Sequence, residues 1–169
     1  GNVSDSIFEF QWSFRKMAIC EFDYKLSRVE RGYNNRTLYI NLSNMKIVSK
    51  PVSEEMKEKF TGGRGFNLWL LWNALPKNRI VKWDDPENEI CIAAGPLGGT
   101  PIYPGSGKSI AVAISPLTGS VIDSNVGGYF GPYLKFAGWD ALEIQGKAKS
   151  DVVILIDGDN GVVRIENGS

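Results

Sequence analysis

Histidine is absent from this 169-residue chain. Acid–base chemistry must therefore fall to a carboxylate, Lys, Tyr, Cys or a bound cofactor, and no imidazole can ligate a metal. Cysteine is scarce. Cys20 and Cys91 are too few and too far apart for a zinc or iron–sulfur motif. The rarity of cytosolic disulfides favours two reduced thiols, with a single bridge as the open alternative. Excess charge is also missing: 19 basic residues balance 19 acidic ones. Nothing global therefore draws the chain to nucleic acid or to an anionic membrane. No apolar run approaches the roughly 20 residues of a membrane span. The first residues show neither the basic n-region nor the apolar h-region of a signal peptide, so a cytoplasmic location is expected.

What is abundant is glycine, and it is concentrated. Ten of the 19 glycines fall between Gly95 and Gly138. Glycine admits positive φ and close approach of the backbone to a ligand, at an entropic cost. Lys108 lies among them, just before an apolar run, and Asn125 precedes the pair Gly127–Gly128. Outward-facing backbone donors and carbonyls beside one cation suit an anionic, phosphate-bearing cofactor.

The length fits about one domain, and 43% hydrophobic residues is ordinary for a globular protein. Ile7–Phe14 alternates with an aromatic face, Phe8, Phe10, Trp12 and Phe14, and reads as a strand. Thr37–Leu42 and Met45–Ser49 read as a hairpin across Ser43–Asn44. Ser53 reads as an N-cap, with Glu54 and Glu55 in the first turn. A helix is expected from about Arg64 to Leu75, stopped by Pro76; apolar nearly all round, it should be buried on most sides. Glu89–Ala94, Ser109–Ile114, Val121–Asp123 and Ala141–Ile144 read as short strands. Gly128–Ala137 reads as a helix closed by Gly138 at C′. Val152–Ile156 and Val162–Ile165 make a last hairpin around an Asp/Asn/Gly-rich turn. The expected class is α+β, with short-stranded sheets, hairpins and two or three helices.

Several motifs tempt further. Gly105–Ser106–Gly107–Lys108–Ser109 lacks the P-loop's first glycine, that place being Ile102, and a strand-like run follows where a helix is required. Nucleotide hydrolysis is therefore set aside, while Lys108 stays a candidate phosphate cation. Gly62–Gly63–Arg64–Gly65 reads equally as an anion-binding helix N-terminus or as a hinge with a surface arginine. Asp84–Asp85 and Asp157–Asp159 fit turns better than metal sites. The aromatic set Trp69, Trp72, Tyr129, Phe130, Tyr133 and Phe136 is assigned to the core rather than to a cofactor box.

At this point the segments TGGRGFNLWLL (61–71), IAAGPLGGT (92–100), SPLTG (115–119) and SNVGGYFGPYLKFAGWDALEIQGKA (124–148) stand in order. Together they resemble the N-terminal domain of tungsten-containing aldehyde:ferredoxin oxidoreductases. The resemblance implies a saddle-like α+β domain cradling two pterin dithiolenes that hold tungsten, rarely molybdenum, with a magnesium bridging their phosphates. Lys108 takes the place of a usual Arg at a cofactor phosphate, which loses the bidentate fork. Asn125 would offer its backbone carbonyl to the magnesium, and Gly127 and Gly128 would approach the pterin by main chain. Arg64 joins this cofactor-binding set. No catalytic residue is expected here, and the iron–sulfur cysteines belong to other domains of the family. Residues 1–32 lack a counterpart and read as an N-terminal extension; residues 33–169 read as the family's domain, truncated at its C-terminal end. The expected partners are the remaining oxidoreductase domains or a partner subunit, and ferredoxin through the complete enzyme. A non-catalytic binding or assembly module that keeps the fold is the alternative. An apolar patch near Tyr129–Tyr133 is expected, and with it self-association.

Overall fold

The computed structural model of the protein describes residues 18–169. The alternating segment Ile7–Phe14 lies outside the described residues. Among the described residues, nine strands and three helices run in the order β1 (Ala18–Asp23), β2 (Arg36–Asn41), β3 (Lys46–Pro51), α1 (Glu54–Phe60), α2 (Gly63–Ala74), β4 (Glu89–Ala93), β5 (Ser109–Ile114), β6 (Val121–Val126), α3 (Phe130–Phe136), β7 (Ala141–Gln145), β8 (Val152–Asp157) and β9 (Val162–Asn167). The class is α+β, as expected. One sheet has six strands in the order β3-β2-β7-β4-β5-β6, and the other three, β1-β9-β8. Only β2 and β7, among the described residues, pair in parallel.

Strand alternation gives the large sheet two different faces. Cys91, Ala93, Ile110, Val112 and Ala141 face α2, where Phe66, Leu70 and Leu71 pack on them. Burying each of Phe66, Leu70 and Leu71 contributes about 1.5–3 kcal/mol relative to exposure. Leu38, Ile40, Ile47 and Leu142 face the other way, against Val163 and Ile165 of the small sheet and Leu134, Ala137 and Trp139 of the α3 region. The small sheet therefore covers the β3-β2-β7 half. Over β4-β5-β6 the same face carries Ile90, Ile92, Ala111, Ala113, Ile122 and Ser124, none of them fully buried.

Local expectations hold where the chemistry is local. The Ser53 hydroxyl accepts from the Met56 amide at 3.1 Å and caps α1. Gly138 takes φ of +99° after α3, as a C′ glycine should. Both cysteines are free thiols. β6 runs three residues beyond Val121–Asp123 and so includes Asn125. Part of the stretch read as an extension, β1, pairs antiparallel with β9 and edges the small sheet.

Two burial expectations fail. Helix α2 buries one side only: Trp72 is 67% exposed and Leu68 is exposed beside it. The aromatic set is not core either. Trp72, Tyr129, Phe130, Tyr133 and Phe136 are all exposed, and only Trp69 is half-buried. Composition reveals that a segment is apolar; it does not reveal which layer covers it.

One buried cation ties the loops to this frame. Lys135 of α3 is buried, and its Nζ donates to the carbonyls of Gly32, Gly95 and Pro96, the last two at 3.1 Å. Burial lowers its pKa, and the nearby Asp140 opposes that shift. Asp140 in turn accepts the amides of Asn34 at 2.8 Å and Asn35 at 2.9 Å. Replacing Lys135 by Met keeps the stem and removes the shared donor of three carbonyls. Among the described residues, only that of Gly95 keeps another partner, the Gly98 amide. Urea unfolding of Lys135→Met is expected to show a loss of about 3 kcal/mol; a loss below about 0.5 kcal/mol would show that the loops are held by other contacts.

Candidate functional site

The β5–β6 ladder sets the geometry of the candidate site. Its register places Ser109 opposite Val126 and Ile110 opposite Asn125. Lys108 therefore enters β5 at the same sheet end where Gly127 and Gly128 leave β6. The two loops touch: a Cβ on Gly107 would stand 2.9 Å from the Gly128 carbonyl oxygen, so only glycine fits there. α3 closes the third side. Its Gly131 lies against Ser109 and the Lys108 carbonyl, where a Cβ would meet Ser109 at 3.1 Å.

This sheet end is open outward. Lys108, Asn125, Gly127 and Gly128 are all exposed. A Cβ built on Gly105, Gly127 or Gly128 meets nothing within 4 Å. Lys108 makes no ion pair among the described residues. Gly128 has φ of +90°, which turns its peptide groups in a way other residues rarely adopt. An unpaired ammonium beside accessible glycine backbone fits an anionic, phosphate-bearing group. Exposed Tyr129, the N-cap of α3, and Tyr133 and Phe136 within it stand beside it in an edge-and-tilt row, with successive ring centroids 6.1 Å apart. The patch expected near Tyr129–Tyr133 is therefore present.

Arg64 reaches the middle of β6 from α2, two residues before Asn125. It lies in the first turn of α2, and its Nε donates to Oδ2 of Asp123 on β6. Asn67, one turn on, donates its Nδ2 to the Ile110 carbonyl at 2.7 Å and anchors this helix end over β5. The ladder thus gathers Lys108, Asn125, Gly127 and Gly128, and α2 adds Arg64 through its ion pair. The P-loop alternative fails in the structure as in the sequence, because Lys108 leads into strand β5. The acidic turns behave as turns. Asp85 pairs with Arg79, whose hydrogen bond holds its carboxyl down at about 2. Asp157 accepts from Asn160. Among the described residues, no group of three or more Cys, Asp or Glu side chains is placed to hold a metal ion.

The family model for the aldehyde ferredoxin oxidoreductase N-terminal domain matches residues 37–169. The chain belongs to this family. A tungsten-containing aldehyde ferredoxin oxidoreductase of Pyrococcus horikoshii is 41% identical over 134 residues, which is 79% of this chain and 21% of that protein. The enzyme of the same description from Thermococcus kodakarensis is 39% identical over 134 residues, 79% of this chain and 22% of the other. The WOR-like subunit of an aliphatic sulfonate oxidoreductase from Pyrococcus furiosus is 39% identical over 138 residues, 79% of this chain and 21% of that subunit. Among solved structures, the active site complex BamBC of benzoyl coenzyme A reductase with 1,5-dienoyl-CoA superposes with a TM-score of 0.75 at 32% identity, over 82% of this chain and 20% of that chain. The chain thus spans about a fifth of the length of the relatives it matches. Among the described residues, no helix is long and apolar enough to cross a membrane.

A buried acidic pair on the α2 face is not evident from sequence pattern. Glu89 of β4 and Glu143 of β7 are both buried. The Cys91 thiol donates to Glu89 Oε1 at 3.0 Å, and Lys50 lies 3.2 Å from Glu143. Glu89 Oε2 has no partner. Burial, reinforced by Glu143, pushes the Glu89 carboxyl up to about 9, and burial also raises the Cys91 thiol. Neither group faces the open loops, and the upward shift favours a protonated Glu89 in the core. The pair's only trace in the sequence is the alternation of Glu89 and Cys91 at core-face positions of an apolar run. Because Glu89 titrates near 4.3 when unfolded, its stabilising proton is fully retained below that pH and lost as pH rises toward about 9. Stability should fall across that window by up to about 1.4 kcal/mol per pH unit, and Glu89→Gln should flatten the slope. Urea titrations of both proteins from pH 5 to 9 test this; parallel curves would contradict it.

Proposed function

We propose that this chain is the cofactor-cradling part of a tungsten oxidoreductase that interconverts aldehydes and carboxylic acids with ferredoxin as electron carrier. It acts together with the remaining oxidoreductase domains or a partner subunit. The observation that supports this most is the convergence of an unpaired Lys108 with the open backbone of Gly127 and Gly128, in a chain of this family. A tungsten, or molybdenum, bis-pterin with its bridging magnesium supplies the redox chemistry when bound.

The protein's own part is electrostatic and steric. Lys108 neutralises a phosphate as a point charge, without the two-pronged grip of an arginine. Gly127 offers main chain at a place where a side chain would stand in the way. Asn125, at the end of β6, offers its backbone carbonyl to the magnesium. Arg64 borders the cradle on the α2 side, where it pairs with Asp123. The half-open floor of Ala111, Ala113 and Ile122 and the aromatic row on α3 give the remaining domains an apolar surface to cover, which excludes water from the cradle. Catalytic side chains and iron–sulfur ligands lie in those other domains. Here Cys91 is sealed in the core and Cys20 lies in β1 of the small sheet.

Gly127 gives the cleanest test. Its backbone is not in the left-handed region and a methyl there meets nothing, so Gly127→Ala should fold normally. It should nevertheless fill the cradle. In the complete protein purified with its other domains, Gly127→Ala and Lys108→Ala should each retain tungsten and pterin roughly tenfold less well than wild type, with unchanged melting temperature. Metal analysis and pterin fluorescence read the outcome. Wild-type metal content in both variants would reject the reading.

A further inference from the structure

β6 is the exposed edge of the large sheet. All its residues from Val121 to Asn125 are exposed, so little side-chain burial holds it down. Edge strands with few buried contacts open at low free energy. Yet Gly127 and Gly128, which follow β6 directly, must stay in place to be useful. Asp123 sits at the middle of this strand, and its carboxylate accepts from Arg64 in the first turn of α2. α2 needs such a group. Its N-cap is Gly62, which provides no side-chain acceptor, and its first turn contains no acidic residue. The positive end of a helix favours a nearby carboxylate, and here a different element supplies it. α2 itself is a firm base, because Phe66, Leu70 and Leu71 are buried and Asn67 is bonded to the Ile110 carbonyl of β5.

We propose that Arg64 and Asp123 form a strap that clamps the edge strand β6 onto the start of α2. Arg64 is then a positioning residue for Asn125, Gly127 and Gly128, and its guanidinium is committed to Asp123 and not to a cofactor phosphate. Lys108 becomes the cation that meets the anion. The consequence for the anion rests on the cradle reading given above; the strap itself does not.

Hydrogen exchange on the full chain separates the two. Arg64→Gln and Asp123→Asn should each speed exchange of the amides from Val121 to Gly128 by about two- to fivefold, the range expected for one exposed ion pair. Amides of β2 and β7 should not change. The charge-reversed double variant Arg64→Asp with Asp123→Arg should return exchange to within about twofold of wild type. Unchanged exchange in both single variants, or no recovery in the reversed pair, would overturn the strap. A titration with inorganic pyrophosphate, followed by NMR, adds a signature that a general loss of stability does not produce. The Lys108 side-chain signals should move while the Arg64 Nε–H signal stays. An Arg64 signal that moves in step with Lys108 would make Arg64 a ligand and overturn its positioning role. If neither signal moves, the cradle reading fails and the exchange result alone decides the strap.

Discussion

The pairing of β5 with β6 is the constraint on which the site depends. The two strands are only six residues each, but their register fixes which residues leave the sheet together. With Ser109 opposite Val126, a cation and a glycine pair arrive side by side. Slipping the register by one residue would send every side chain of β6 to the opposite face and part Lys108 from the glycines. Close approach of Gly107 to the Gly128 carbonyl then locks the loops in that relation, since no larger residue fits.

Other features serve to hold this end of the sheet without filling it. α3 packs against the start of β5 through Gly131 and buries Lys135 against three loop carbonyls. An ammonium so buried costs desolvation free energy, which its carbonyl partners offset. The result is an ordered rim of loops around an uncovered half-sheet. Exposed aromatics and a small apolar floor line this rim.

Much of this was legible before any coordinates. The hairpin of β2 and β3, the Ser53 cap, the Gly138 stop and the strand after Lys108 follow from local chemistry, and local chemistry writes itself into sequence. The gathering of Lys108, Asn125, Gly127 and Gly128 was legible as a glycine-rich stretch and as a family resemblance. What sequence could not supply was cover. Trp72, Tyr129, Phe130 and Tyr133 look like core by composition, yet all four are exposed. Nor did pattern reveal cross-element pairs such as Arg64 with Asp123 or Glu89 with Glu143, because each joins residues more than 50 positions apart, as the 59-residue span of the first shows. Lys135 was the near miss. It lies four residues after buried Gly131 and beside buried Leu134, so helical spacing marked it as inward-facing.

The central claim is one of location: the metal-bearing anion sits at the open end of β5 and β6. An anomalous scattering map, recorded at the tungsten edge from crystals of the complete metal-loaded protein, locates the metal directly. The account predicts a tungsten peak facing Lys108 and the Gly127–Gly128 backbone. A peak at the opposite end of the sheet, where Glu89 begins β4 and Gln145 ends β7, or on the small sheet away from these loops, would contradict it.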